Sequence, residues 1–347
     1  MLLCIISVVN LIGIGGSDHS LVGRQIWLVI AGLAVLMLFA SFNYHYLKNW
    51  SLPVLILYGG TMLILAATLL FPAIRNIRAW ISFGGVQFEP SEAAKLALII
   101  LLAKYFSQRH IHIQQFRHII VSGLYAGLLV FIVLMQPDLG SAAMLAMLWI
   151  VFLIAAGTSR KHLFLIASLG IVGAYCAWIW ALAPYQKDRI LAFINPYEDP
   201  SGYGYHIIQS QIAIGSAGWL GRGFGQGSQA SLGFLPEPYN DFAFSAFTEQ
   251  FGFVGAVILL WLILFVIWRI LRTASMARNN FARLFCVGAV ALIGAHTVVS
   301  AGVNIGLLPI TGIPFSFLSY GGSHLIVSMA TLGVVQSIYR SDVSSHH

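Results

Sequence analysis

The chain has 347 residues, 59% of them hydrophobic and 8% charged, and a formal net charge of +7. Soluble domains carry roughly 25% charge, so this composition excludes a soluble globular protein and predicts an all-α polytopic membrane protein. The basic residues are scattered through short loops and form no basic face, which argues against a nucleic-acid partner.

A membrane-crossing helix needs about 20 mostly apolar residues. Ten such segments are predicted: 1–16, 24–42, 52–71, 90–107, 118–136, 141–157, 162–184, 243–268, 283–303 and 315–338. Cys4, Cys176 and Cys286 all fall inside them, without metal-ligand or pairing spacing, and read as small buried residues. The first segment begins almost at Met1 and is counted as a span rather than a cleaved leader.

Lys and Arg set orientation. They concentrate in loops holding Lys48, Arg160, Lys161, Arg272, Arg278 and Arg340, with Lys104, Arg109, Arg117, Arg269 and Arg283 on the same side. The other side holds Arg24, Arg75, Arg78, Lys95, Lys187, Arg189 and Arg222. The excess predicts both termini in the cytoplasm and a long extracytoplasmic loop, 185–245, between the seventh and eighth spans. Of the acids only Asp342 then falls inside; Asp18, Glu89, Glu92, Asp138, Asp188, Glu198, Asp199, Glu237, Asp241 and Glu249 fall outside or at outer span mouths. Longer outer loops explain this asymmetry as well as a polar working surface does.

Along the chain, PAIRNIRAWISFGGVQFEPSE joins two arginines and Trp80 to a helix start, with Ser91 as the expected cap. Glu92 and Lys95 are three apart on one helix face, close enough to pair, as a structural staple or a site element. Gln136, Pro137 and Asp138 break the chain between two spans. Residues 205–217 mix isoleucines with Gln209, Ser210 and Gln211 and predict a short helix on the membrane surface. Gly218, Gly221, Gly223, Gly225 and Gly227 follow; no strand precedes them, so they make no nucleotide fingerprint and read first as a re-entrant turn. Backbone N–H groups there could still meet a phosphate.

LPEPYNDFAFSAFTEQFG closes the long loop and carries Asp241 at the mouth of the next span. A carboxylate at a membrane interface is costly unless something uses it, so Asp241 is the leading candidate for the chemistry. Pro309, Gly312, Pro314, Gly321 and Gly322 then preclude a straight helix, with Ser319, Tyr320 and Ser323 beside the break. Irregular backbone at membrane depth must be buried in protein or reached by water, which implies a cavity open to the outside.

These pieces, RAWISFG with FEPSEAAKLAL, QPDLGSA, YHIIQSQIAIGSAGWLGRGFGQGSQ, LPEPYNDFAFSAFTEQFGFVG and LLPITGIPFSFLSYGGS, taken in order, resemble the SEDS family of bacterial membrane proteins, the RodA and FtsW group. The resemblance covers nearly the whole chain. It implies a single ten-span domain over 1–347 and a peptidoglycan glycosyltransferase of the bacterial cytoplasmic membrane. Such an enzyme polymerises lipid II on the outer face, and a class B penicillin-binding protein is its partner. The family commonly has Gln at Glu89, an acid at Gln250, an asparagine near Ser300 and a second serine at His324, which leaves elongation, division and sporulation roles open.

The implied reaction inverts the sugar centre, because lipid II is an α-linked diphosphate and the product linkage is β-1,4. One base must take the proton of the attacking 4-hydroxyl, and Asp241 is the candidate; shielding from water would raise its pKa toward what that step needs. The diphosphate leaving group needs cationic help, for which Arg78, Lys95 and Arg222 are outer-side candidates, or a divalent cation such as Mg²⁺. No His/Cys cluster suits zinc, and no cofactor is otherwise called for. Glu237 could orient Asp241 or bind substrate, and Glu249 could line the cavity, as could Asp138, Ser319 and Tyr320. Glu92 with Lys95 would shape it. Trp80 could stack on a sugar or anchor its loop. Arg24 reads as an interfacial anchor before a phosphate contact, and His206 and His296 as structural. Two rivals remain, a lipid II flippase and a non-catalytic scaffold for a penicillin-binding protein. No internal inverted repeat supports the first, and the second needs no acid at a span mouth.

Overall fold

The computed structural model describes residues 1–15, 19–71, 78–83, 86–108, 116–199 and 202–343. Asp18, Arg75 and Arg109 lie outside these residues. In chain order the elements are α1 (Leu2–Gly15), α2 (His19–Ser41), α3 (His45–Asn49), α4 (Ser51–Thr68), β1 (Ile81–Phe83), β2 (Val86–Phe88), α5 (Pro90–Ser107), α6 (Phe116–Met135), α7 (Leu139–Ala155) and α8 (Arg160–Cys176). There follow α9 (Pro184–Ile194), α10 (Tyr203–Ser216), α11 (Ser228–Ser231), α12 (Ala243–Met276), α13 (Asn280–Asn304) and α14 (Gly322–Ile338).

Each of the ten predicted segments overlaps a helix, the last of them only from Gly322 onward. Among the described residues, six helices are long and apolar enough to cross a membrane: α2, α4, α6, α8 with its π-helical extension to Ala181, α12 and α13. Helices α1 and α7 are apolar but shorter. Helix α5 carries Glu92, Lys95 and Lys104 yet is buried over nearly its whole length. Such burial needs cover on every side, and α4, α6, α7 and α14 supply it.

One local expectation is revised, and one local element is added. Ser91 does not cap α5; the helix starts at Pro90, whose fixed φ suits the first helical position, with Glu89 at the cap. The Ser91 hydroxyl instead donates to Glu89 Oε1 at 2.5 Å. The segment before α5 is an antiparallel hairpin pairing Ile81 with Phe88 and Ser82 with Gln87. ISF and VQF flank a Gly-Gly pair, a hairpin signature present in the sequence.

The chain forms two compact units. One comprises Leu28–Leu163, Val266–Ala295 and Gly322–His347. Here Gln136 ties α6 to α4, donating through Nε2 to Leu65 O at 2.8 Å and Thr68 Oγ1 at 2.6 Å. Asp138 caps α7, accepting from Ser141 N at 3.0 Å. At the basic end of this unit, Asp342 accepts from Tyr44 Oη at 2.5 Å and from Arg278 N at 3.0 Å, while Asn279 Nδ2 donates to Tyr44 Oη at 2.7 Å. The one acid assigned to that side is therefore a latch for the C-terminal segment.

The other unit comprises Met1–Trp27, Phe164–Phe265 and His296–Gly321. The long loop has no core of its own. Ile207, Ala230 and Leu235 pack with Ile14, Phe242, Ala246, Val303 and Ile310 in one cluster. Helix α12 is broken at Gly252, which has φ 71° and ψ −172°. A break frees backbone groups that apolar surroundings leave unsatisfied, and the glycine-rich loop supplies their partners. Arg222 N donates to Glu249 O at 2.8 Å and Gly223 N to Gln250 O at 3.2 Å. In return Phe253 N donates to Gly218 O at 3.0 Å and Val254 N to Trp219 O at 3.1 Å. The glycine-rich loop thus mends a helix break that the sequence reading did not anticipate.

Candidate active site

Asp241 lies in the turn two residues before α12 begins, partly exposed. The backbone that carries it is held at three consecutive carbonyls. Tyr239 O accepts from Tyr320 N at 2.7 Å, Asn240 O from Ser319 Oγ at 2.7 Å, and Asp241 O from Asn304 Nδ2 at 2.8 Å. The turn itself closes on Glu237, whose carbonyl accepts from Asn240 N at 3.1 Å and Phe242 N at 3.3 Å. Glu237 sits at φ 45°, and its Oε2 accepts from Asn240 Nδ2 at 3.0 Å. A backbone so over-determined fixes the Cα and the Cα–Cβ direction of Asp241 before any ligand arrives, the part of positioning that the main chain supplies.

The segment 309–321 is irregular as the prolines and glycines predict, and its irregularity is what reaches the turn. Ser319 Oγ accepts from Phe315 N at 2.8 Å while it donates to Asn240, and Ser7 Oγ donates to Leu318 O at 2.9 Å. Tyr320 contributes its main-chain N–H to the turn, and its side chain is partly exposed.

Glu249 is fully buried and engaged by short helix α11. Its Oε1 accepts from Gln229 N at 2.9 Å and its Oε2 from Ala230 N at 3.2 Å, so the carboxylate satisfies the first-turn donors of α11. Arg222 is exposed and belongs to the same unit as Asp241. His206 packs edge-on to the Phe242 ring at 6.2 Å. Burial first, and then the Arg189 charge, lower its pKa.

The remaining candidates sit in the other unit. Glu92 and Lys95 form the i, i+3 pair expected of them, Lys95 Nζ to Glu92 Oε1 at 2.7 Å, both almost fully buried. The second Glu92 oxygen meets His324 Nδ1 at 3.2 Å. Breaking a buried pair by removing one partner costs about 3–5 kcal/mol. Lys95→Met is accordingly expected to destabilise the protein by about that amount in detergent unfolding, and the double change Glu92→Gln with Lys95→Met by clearly less.

Glu89 extends this polar cluster. Its N–H donates to Ser323 Oγ at 2.8 Å, and its carboxylate lies among Ser91, Ser141, Glu92 and Asp138. Burial, with the Glu92 and Asp138 charges, pushes the Glu89 carboxyl up from 4.5 to about 7. A raised carboxyl pKa contributes stability below about pH 4.5 that is lost as pH climbs through about 7. Glu89→Gln is therefore expected to raise the apparent Tm by roughly 2 °C or more at pH 8.5 and to leave it unchanged near pH 4.5. Arg78 is exposed, its Nη1 donating to Leu69 O at 3.3 Å. Trp80 is half-buried just before β1. Arg24 is exposed on α2 and belongs to the same unit as Asp241.

The sequence reading missed Asn304, Ser245 and Ser210, all fully buried. It singled out Ser300, whose hydroxyl makes no hydrogen bond; the amide chemistry sits one turn later, at Asn304. An asparagine ending an apolar helix was the available signal.

The arrangement is that of a multi-pass helical membrane protein with an acid fixed at a helix mouth. The FtsW/RodA/SpoVE cell cycle protein model matches residues 1–343, and the chain belongs to that family. It is 34% identical over 330 residues to stage V sporulation protein E of Bacillus subtilis (strain 168), covering 93% of this chain and 88% of that protein. It is 34% identical over 325 residues to peptidoglycan glycosyltransferase MrdB of Escherichia coli (strain K12), covering 93% and 87%. A solved structure of a peptidoglycan synthase complex coordinating polymerization and crosslinking includes a chain similar to this one. The TM-score is 0.82 at 32% identity, over 99% of this chain and 96% of that one.

Proposed function

We propose that this chain, a peptidoglycan glycosyltransferase of cell-wall synthesis in the bacterial inner membrane, polymerises lipid II with Asp241 as its general base. The observation that carries the reading is the pinning of three successive carbonyls, Tyr239, Asn240 and Asp241, which holds that carboxylate at the start of α12. The acceptor sugar's 4-hydroxyl gives its proton to Asp241 as its oxygen bonds to the anomeric carbon of the donor. The bond to the diphosphate breaks in the same displacement, so an α-linked donor yields a β-1,4 product. The leaving diphosphate is stabilised by cationic charge. Arg222 is the favoured source because it is exposed and shares Asp241's unit, whereas the Lys95 charge is engaged by Glu92. Glu237, Ser319 and Tyr320 hold the backbone that carries Asp241, and Glu249 holds α11.

The proposal extends to a single domain of ten spans with both termini in the cytoplasm and residues 185–245 outside. A class B penicillin-binding protein is the proposed partner; the similar solved chain's place in a synthase that couples polymerization to crosslinking supports it. Labelled lipid II given in detergent to the purified protein with such a partner separates the alternatives, because flipping has no meaning there. Glycan strands from wild type and none from Asp241→Ala support the enzyme. No strands from a folded, partnered wild type favour the flippase or the scaffold.

A further inference from the structure

We propose that Asn304 is a positioning residue for the reaction, acting on Asp241 through its main-chain carbonyl; this rests on the general-base reading above. The side chain of Asn304 is fully buried at the C-terminal end of α13, and all its polar capacity converges on the start of α12 and its own helix end. Its Oδ1 accepts from Ser245 N at 2.9 Å and from Ser245 Oγ at 2.7 Å. Its Nδ2 donates to Asp241 O and to Ser300 O, both at 2.8 Å. Its own carbonyl accepts from Ser210 Oγ at 2.7 Å, and Ser210 Oγ is 2.6 Å from Ser245 Oγ.

A primary amide is the one side-chain group of this size that both accepts two bonds and donates two at such spacing. Each half does something different. The oxygen satisfies an N–H that the first turn of α12 cannot satisfy internally. The nitrogen fixes the carbonyl of the residue that bears the reacting carboxylate. The two neighbouring carbonyls, Tyr239 and Asn240, are held from the 309–321 segment, so of these three contacts the one from Asn304 ties the reacting residue to α13. Rotation of the Asp241 peptide would swing the carboxylate by an ångström or more, and a misplacement of about 1 Å can cost 10²-fold in rate.

The two halves can be tested apart. Asn304→Asp keeps both bonds from Ser245 and replaces the donor to Asp241 O with an oxygen. Ser245→Ala removes the Oγ bond and leaves the nitrogen half intact. With purified protein, its partner and labelled lipid II, Asn304→Asp is expected to lower kcat at least 10-fold, with KM within 2-fold of wild type and an unfolding temperature matching that of Ser245→Ala. Ser245→Ala is expected to keep kcat within about 3-fold. Equal losses of kcat in the two variants, or a wild-type kcat in Asn304→Asp, overturn the proposal. Asn304→Ser, which keeps a donor of shorter reach, is run beside them; failure of both Asn304 variants to fold while Ser245→Ala folds assigns Asn304 to the fold and overturns it too. Asp241→Ala is the reference. Full polymerisation by that variant removes the general-base reading, whereas its inactivity beside an active Asn304→Asp removes the positioning role alone.

Discussion

Replacement of Asp241 by Asn is expected to lower the rate of glycan polymerisation about 10²–10⁴-fold, the range general-base catalysis supplies. At 1.36 kcal/mol per decade this is about 3–5 kcal/mol of transition-state stabilisation. Asn is close to Asp in size and keeps the main-chain carbonyl that Asn304 holds, so the turn should persist and the loss should fall on kcat. Binding of lipid II, read by its retention on the purified variant, should change little. Asp241→Glu keeps the carboxylate but moves it by a methylene. Because the backbone is pinned at Tyr239, Asn240 and Asp241, it cannot retreat to compensate, and most of the activity should be lost there as well.

Gly252→Ala is expected to be the most damaging change outside the turn. Gly252 has φ 71°, and a Cβ there would stand 2.3 Å from Gly221 N and 2.5 Å from Trp219 O, both main-chain atoms that cannot step aside. Gly221, at φ 84°, faces the same problem from the other direction, with Gln250 O at 2.1 Å from its Cβ position. Strained φ and overlap together place the cost above about 4 kcal/mol, enough to remove most folded protein given typical stabilities of about 5–15 kcal/mol. Gly59→Ala in α4 is the control. A Cβ there meets nothing within 4 Å, and the change should be neutral or slightly stabilising. Thermal unfolding and yield in detergent read both. A well-folded Gly252→Ala would show that the loop does not depend on this break.

Much of this was legible in the residues. Apolar periods long enough for a bilayer located ten helices, because span length and backbone satisfaction leave few alternatives. The i, i+3 spacing of Glu92 and Lys95 sufficed to predict their pair, since helix geometry alone brings them together. Asp241 stood out because an acid at a span mouth is costly. What was not legible depends on contacts distant in sequence. Glu249 looked like a cavity-lining acid, yet it is spent on α11, twenty residues earlier in the chain. Gly252 looked like one glycine among many; only its approach to Gly221 reveals the break. Asn304 lies 63 residues from Asp241, and nothing local tells a helix-end asparagine with that partner from one facing water.

The central claim is that the Asp241 carboxylate takes the sugar hydroxyl's proton, and the pH dependence of the chemical step tests it most directly. Single-turnover polymerisation of lipid II would be followed across the acidic range for wild type and for Asp241→Asn, each with its partner. The account predicts a wild-type rate that rises tenfold per pH unit until one ionisation is complete, and a small residual rate in Asp241→Asn that is flat over the same range. An Asp241→Asn enzyme whose rate follows the wild-type curve would contradict it.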